Sequence, residues 1–168
     1  YYISPTQLDV QVPSGVSGTV PVTVTYNGAT TASFNATVAP NAPALFAYPS
    51  GSNTFAAATH ASGQTIGDPA VTPGSSKAAA GETIVLYVNG VASSPSGVLI
   101  NAPISYSAPV TVSVGTATGT VVYAALTLAG VYQLNVVLPS GLAAGTYPIG
   151  IQTAGQTSQT GVLLPVGP

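Results

Sequence analysis

The chain has 168 residues, of which 46% are hydrophobic and only 2% are charged. An ordinary soluble domain carries about 25% charged residues, and one lysine cannot neutralise a row of phosphates, so the composition excludes nucleic-acid binding. The absence of cysteine excludes disulfides, thiolate nucleophiles and cysteine-ligated metals. High hydrophobicity predicts a folded chain, yet no apolar run approaches the roughly 20 residues of a membrane-spanning helix.

Apolar and polar residues alternate with period two along most of the chain, which is typical of β-strands with one buried face. The predicted strands, in chain order, are 8–12, 19–26, 32–38, 83–88, 110–114, 120–126, 132–138, 146–153 and 160–166. Asn27-Gly28 separates two alternating runs and predicts a type I′ hairpin turn, because that turn needs positive φ at both central positions. Ala154-Gly155 stands at the equivalent place later in the chain. The sequence therefore predicts an all-β protein.

An internal repeat organises the chain. QLDVQVPSG from Gln7 matches QLNVVLPSG from Gln133, and SGTVPVTVTYNG then parallels AGTYPIGIQTAG with one residue inserted in the later stretch. We refer to residues 7–38 as the first copy and to residues 133–166 as the second copy. Because the first copy begins almost at residue 1, we expect residues 1–48 to form the C-terminal half of a first, incomplete β-sandwich and residues 77–168 to form a second sandwich.

The segment between these parts, residues 49–76, has no clean periodicity and is dense in Gly, Ser, Ala and Pro. We interpret it as an extended connector. However, Phe46, Tyr48 and Phe55 in and beside it are large apolar residues, which a solvated linker rarely keeps. The connector is therefore predicted to pack over a sheet edge.

Two resemblances extend this interpretation. The stretch YQLNVVLPSGLAAGTYPIGIQTAGQTS from Tyr132 resembles the last strands of IPT/TIG immunoglobulin-like domains. The whole chain resembles an uncharacterised carboxy-terminal module of secreted Solibacter-type acidobacterial proteins, through ISPTQLDVQVP, NAPALFAY, AAATHASGQTI, AAAGETIVLYVNG, PVTVSVGTATGTVVYA and GVYQLNVVLPSG, in that order. The resemblance implies secretion and tandem immunoglobulin-like sandwiches, the first of them without its front strands, and it implies no activity.

Residues for catalysis are scarce. His60 could join Asp68 and one of many serines, but no Gly-x-Ser-x-Gly motif occurs, and a lone histidine in a polar loop is usually solvated. Asp9, Asp68 and Glu82 are far apart in sequence and do not form a carboxylate pair or a calcium loop. We therefore predict that the protein is not an enzyme and holds no cofactor or metal.

The sequence indicates one ion pair and two candidate sites of covalent modification. Lys77 and Glu82 are predicted to form a modest ion pair, and a sharper alternative is an amide bond from Lys77 to an asparagine, assisted by Glu82 or Asp68. Asn35-Ala36-Thr37 is a glycosylation sequon in a predicted exposed strand.

Aromatic residues suggest the mode of interaction. Tyr87, Tyr123 and Tyr132 lie in alternating strands beside Val or Leu, where packing is the usual explanation. Tyr1 and Tyr2 instead head a strand whose own domain lacks its front half, so we expect another chain to bury them. The predicted contacts between subunits are Tyr1, Tyr2, Ile3, Leu8, Val10 and Phe46.

These patterns favour an extracellular structural protein, a subunit of a surface filament that assembles with copies of itself through β-strand and hydrophobic contacts. Uncharged Ser and Thr surfaces can be desolvated at low cost, which suits such packing. The alternative is a spacer or a carbohydrate-binding adhesion module of a larger secreted protein, with surface glycans as its partners.

Overall fold

The computed structural model describes residues 2–167. All the regular secondary structure of these residues is β-strand, which confirms the prediction of an all-β protein. No helix in this part of the chain is long and apolar enough to cross a membrane.

The first six strands belong to the first copy and the residues just before it. They are β1 (Tyr2–Ile3), β2 (Leu8–Asp9), β3 (Gly18–Val22), β4 (Thr25–Tyr26), β5 (Ala29–Thr30) and β6 (Phe34–Val38). Each pairs antiparallel with one other strand of this group, giving the pairs β1–β2, β3–β6 and β4–β5. These strands therefore form three separate hairpin-like ribbons and not one sheet.

All later strands join one large sheet. They are β7 (Ala44–Leu45), β8 (Ala47–Ser50), β9 (Asn53–Ala56), β10 (Ala58–His60), β11 (Thr83–Asn89), β12 (Ile104–Ser105), β13 (Val110–Val114), β14 (Ala117–Leu128), β15 (Val131–Val137), β16 (Gly145–Thr153), β17 (Gln156–Thr157) and β18 (Val162–Val166). Their main path is β10-β11-β15-β14-β13-β16-β18-β9-β8. The short strands β7, β12 and β17 pair with β11, β14 and β16 respectively.

The strands of this path form two layers around a core, as in a β-sandwich. The long strand β14 belongs to both layers. Its start, Ala117–Gly119, pairs with β13, whereas Thr120 onward pairs with β15 across two register irregularities. The first layer is built around β11, β15 and β14, and the second around β13, β16 and β18. Whether each repeat copy belongs to an immunoglobulin-like domain stays a prediction.

Residues 44–60, which include the start of the predicted connector, add outer strands to both layers. β7 and β10 pair with β11 in the first layer, and β9 pairs parallel with β18 in the second layer. The Phe55 side chain is buried, and the Tyr48 hydroxyl donates a hydrogen bond of 2.9 Å to the Ile66 carbonyl. Residues 49–76 are therefore structured, although they lack a period-two pattern.

Alternation along the strands defines the core. Ile84, Leu86 and Val88 of β11 are fully buried, and the residues between them are half-buried. The opposite layer contributes alternating residues in the same way, namely Val112, Val114, Ile149, Ile151, Leu164 and Val166. Burying each Val, Leu or Ile side chain stabilises the fold by about 1.5–3 kcal/mol. The hydrophobic core thus lies within residues 45–166.

Both predicted hairpin turns are present. Asn27 and Gly28 have φ of 50° and 81° between β4 and β5, and Ala154 and Gly155 have φ of 48° and 77° between β16 and β17. Positive φ at both positions is the requirement of a type I′ turn. The two copies therefore share this local structure.

Candidate functional site

The two copies of the repeat differ sharply in burial. Leu134, Val136 and Leu138 of the second copy are 0%, 0% and 2% exposed. Their equivalents in the first copy, Leu8, Val10 and Val12, are 41%, 75% and 52% exposed. The first copy thus presents to solvent the apolar residues that the second copy uses to build a core.

Strand pairing explains the difference. In the second copy β15 lies between β11 and β14, with six residue pairs to β11. Among the described residues, the matching stretch of the first copy pairs only with β1, through Tyr2↔Asp9 and Ile3↔Leu8. Within residues 2–167, nothing corresponding to β11 lies beside the first copy.

The remaining strands of the two copies pair in the same register. Gly18 faces Val38 in β3–β6, as Gly145 faces Val166 in β16–β18. The second copy then continues its sheet, because β18 pairs with β9 and β16 pairs with β13. Strands β3 and β6 have no such further neighbours among the described residues. The first copy therefore has the same strand pairs as the second copy, but it lacks the neighbouring strands that flank the second copy.

Five of the six predicted contact residues line two grooves beside the first copy. Tyr2, Ile3, Leu8 and Val10 line a groove of about 530 Å³. Leu8, Val10 and Phe46 line a larger groove of about 1020 Å³. We call these five residues the front face. All five side chains are exposed, and Tyr1 lies outside the described residues.

Polar contacts join the first copy to the loop that follows β11. The Gln11 side-chain amide donates to the carbonyls of Ser94 and Pro95, at 3.1 Å and 3.0 Å. The Ser14 backbone N–H donates to the Ser96 hydroxyl at 2.6 Å. The loop after β11 therefore forms one wall of the grooves.

The predicted modification sites lie apart from the front face. Asn35 is exposed on β6, and it lies opposite Pro21 of β3. Lys77 is exposed, and its aliphatic stem lies beside Gly167. The predicted ion pair between Lys77 and Glu82 is not present among residues 2–167, where the Glu82 carboxylate instead lies against the His60 ring.

A polar cluster surrounds His60. The sequence predicted this histidine to be a solvated loop residue. The structure places His60 half-buried at the end of β10, with Nδ1 3.0 Å and 3.2 Å from the two Glu82 carboxylate oxygens. Its Nε2 lies 2.8 Å from the Ser76 hydroxyl. Asp68, the partner considered from the sequence, instead accepts the Ala70 backbone N–H at 3.1 Å.

The three tyrosines assigned to packing have different environments. Tyr132 is buried, Tyr87 is half-buried, and Tyr123 is exposed on β14, so packing does not account for Tyr123. Burial raises the pKa of Tyr132, and the nearby Tyr106 raises it further. The two rings meet edge to face at 5.7 Å. Tyr132 is therefore a core residue.

Comparisons with known proteins do not assign a function. Neither a protein-family model, a curated protein nor a solved structure matches the chain. Among the residues that the structure describes, no group of three potential metal ligands comes together. The candidate sites are thus the front face and the His60 cluster.

Proposed function

We propose that the chain is an extracellular structural subunit that assembles into a fibre, in which a neighbouring copy covers the front face. One observation carries the proposal. The apolar residues at Leu8, Val10 and Val12 are exposed, while the equivalent residues of the second copy form the core.

The missing contacts define what the neighbour supplies. In the second copy, β11 adds an antiparallel strand along β15, and its Leu86 packs in the same core as Leu134. A neighbour that adds a strand along residues 8–12 would give the first copy the same environment. Each apolar side chain buried in this way contributes about 1.5–3 kcal/mol, and the added backbone hydrogen bonds fix the register.

Charge favours another copy of this chain as the occupant. The whole chain carries one lysine and three acidic residues, with a net charge of −2, so copies repel one another weakly. Other exposed apolar side chains, Leu99, Ile104 and Leu128, lie outside the front face. A contact between two different surfaces does not close on itself and can repeat into a filament.

The proposal is tested by light scattering and electron microscopy of the purified chain, with Val10→Asp and the matched control Val71→Asp. Both residues are exposed, but only Val10 lies on the front face. We expect filaments from the wild type and from Val71→Asp. Val10→Asp should weaken assembly at least about 10-fold, because it buries a charge without a partner.

Intact-mass measurement on native material distinguishes the occupants. A subunit that begins at Tyr1 and forms filaments supports completion by a neighbouring copy. A monodisperse particle, or a polypeptide whose own preceding residues cover the front face, would overturn the fibre and favour a spacer or adhesion module.

A further inference from the structure

Three side chains from separate segments meet at the edge of the large sheet. His60 ends β10, Ser76 follows the loop after it, and Glu82 directly precedes β11. The Ser76 Oγ lies 2.8 Å from His60 Nε2, and His60 Nδ1 lies against the Glu82 carboxylate. This order of contacts, hydroxyl to Nε2 and Nδ1 to carboxylate, is the arrangement of a serine–histidine–acid triad.

The hydrogen bonds fix the protons of the cluster. An ionised carboxylate can only accept, so Nδ1 carries the proton that Glu82 binds, and Nε2 of the neutral ring is then an acceptor. The Ser76 hydroxyl has one proton to donate. Two acceptors lie within reach of that proton, His60 Nε2 at 2.8 Å and Gln64 Oε1 at 3.2 Å, and the shorter contact is the one to the imidazole.

Glu82 is suited to stabilise a charged imidazole. Its hydrogen bond from Nδ1 goes to Oε2, while the buried Oε1, also 3.0 Å from Nδ1, has no hydrogen-bond partner among the described residues. A carboxylate with so few donors interacts strongly with the imidazolium that forms when His60 takes the serine proton. Glu82 is thus a positioning residue, acting through His60.

The cluster is ordered and reachable. Ser76 is held on both sides, by its N–H to Thr65 and by Gly67 N–H to its carbonyl, at 3.2 Å and 3.0 Å. The side chains of His60 and Glu82 are 17% and 24% exposed, and β10 is an outer strand of the sheet. A small molecule can therefore approach Ser76 from solvent.

We propose that Ser76 is an activated nucleophile and that Ser76, His60 and Glu82 form an acyl-transfer site for small carboxylic esters. Ser76 Oγ bonds to the ester carbonyl carbon as the carbon–oxygen bond to the alcohol breaks. The serine proton passes to Nε2 and then to the departing alcohol. Water next attacks the acyl carbon and gives a proton to Nε2, which returns it to Ser76 as the carboxylic acid leaves.

The same geometry predicts slow turnover. The N–H groups of Ser76 and Gly67 are engaged with backbone carbonyls and cannot stabilise an oxyanion. Loss of one oxyanion donor costs about 10²–10³ in rate. Covalent labelling is therefore a more sensitive test than steady-state hydrolysis.

The first experiment treats the folded chain with a fluorophosphonate probe and locates the adduct by peptide mass spectrometry. We expect labelling at Ser76, its loss in Ser76→Ala, and a decrease of at least about 10-fold in Glu82→Gln, whose amide does not stabilise an imidazolium. Glu82→Asp, which keeps the carboxylate, should restore part of the rate. Labelling that is absent, or spread over other serines, overturns the proposal.

A second experiment exploits the absence of cysteine in the chain. Ser76→Cys and the control Ser113→Cys each introduce one thiol, the control on an exposed position of β13, which does not pair with the strand of His60. A thiol beside the imidazole ionises more readily, so Ser76→Cys should react with iodoacetamide at neutral pH at least about 10-fold faster than the control. Equal rates in two folded variants would show that the cluster is only a structural hydrogen-bond network.

Both tests are independent of assembly, because the His60 cluster shares no residue with the front face. Their failure would leave the fibre proposal intact.

Discussion

The first and second copies of the repeat have the same turn and the same strand register, but only the second copy is part of a core. Asn27-Gly28 and Ala154-Gly155 adopt the same positive φ values, and β3–β6 repeats the pairing of β16–β18. What differs is the set of neighbours, since β9, β11 and β13 enclose only the second copy. Local sequence thus specifies strands and turns, whereas burial depends on which strands lie alongside.

The largest expected contrast is between Leu134→Ala and Leu8→Ala, which change equivalent residues. Leu134 is fully buried, so its truncation leaves a cavity and should lower the free energy of unfolding by about 2–5 kcal/mol. Leu8 is exposed, and its truncation should cost less than about 1 kcal/mol in the isolated chain. Urea unfolding of both variants under dilute conditions measures the difference.

Comparable losses in the two variants would contradict the comparison. They would mean that the first copy is already covered in the dilute protein. Under assembling conditions, by contrast, Leu8→Ala should raise the concentration needed for filaments.

A smaller contrast concerns Gln159, which stands where the first copy has Ala32. The Gln159 side chain accepts the Leu45 N–H at 3.0 Å and donates to the Leu45 carbonyl at 2.6 Å, fastening β7 to the second copy. Gln159→Ala should lower the free energy of unfolding by about 1–3 kcal/mol, because both backbone groups lose their partner. Thermal unfolding against the control Gln152→Ala, an exposed residue of β16, measures this effect.

The opposite result would be equal melting temperatures for the two glutamine variants. In that case water replaces the amide at Leu45, and β7 is held by its pairing with β11 alone.

The smallest contrast lies in the turns. Ala154 has positive φ, which is unfavourable for alanine, while the first copy has Asn27 at this position. Ala154→Asn should stabilise the protein by about 0.5–1 kcal/mol, seen as a higher melting temperature. The matched change Ala143→Asn, in an exposed loop without positive φ, should give no gain. A gain at both positions would assign the effect to asparagine itself and not to the turn.

Much of the fold was predictable from the sequence because period-two patterns and turn residues act locally. The strands at 83–88, 110–114 and 132–138 and both type I′ turns follow from such patterns. The pairing of β9 with β18 could not be predicted from such patterns, since it joins Thr54 and Phe55 to Val162 and Leu163 across more than 100 residues. Residues 49–76 show no alternation that would reveal an edge strand.

The candidate sites were likewise predictable only where a local sequence pattern marks them. Tyr2, Ile3, Leu8 and Val10 could be proposed as a surface from the repeat alone, because an apolar strand without its neighbours must be exposed or covered by a partner. The His60 cluster could not, because Ser76 and Glu82 are 16 and 22 residues from His60 and no motif links them. Only the pairing of β10 with β11 brings Glu82 beside the imidazole.

The scarcity of charged residues in this chain has a consequence for the solutions in which this protein can work. Dissolved ions screen exposed charges over a distance of about 8 Å at physiological ionic strength, and this chain offers them almost nothing to screen. Its folding, and any contact between its apolar faces, should therefore not weaken between fresh water and brine. Sulfate, which strengthens apolar burial by being excluded from protein surfaces, should stabilise both.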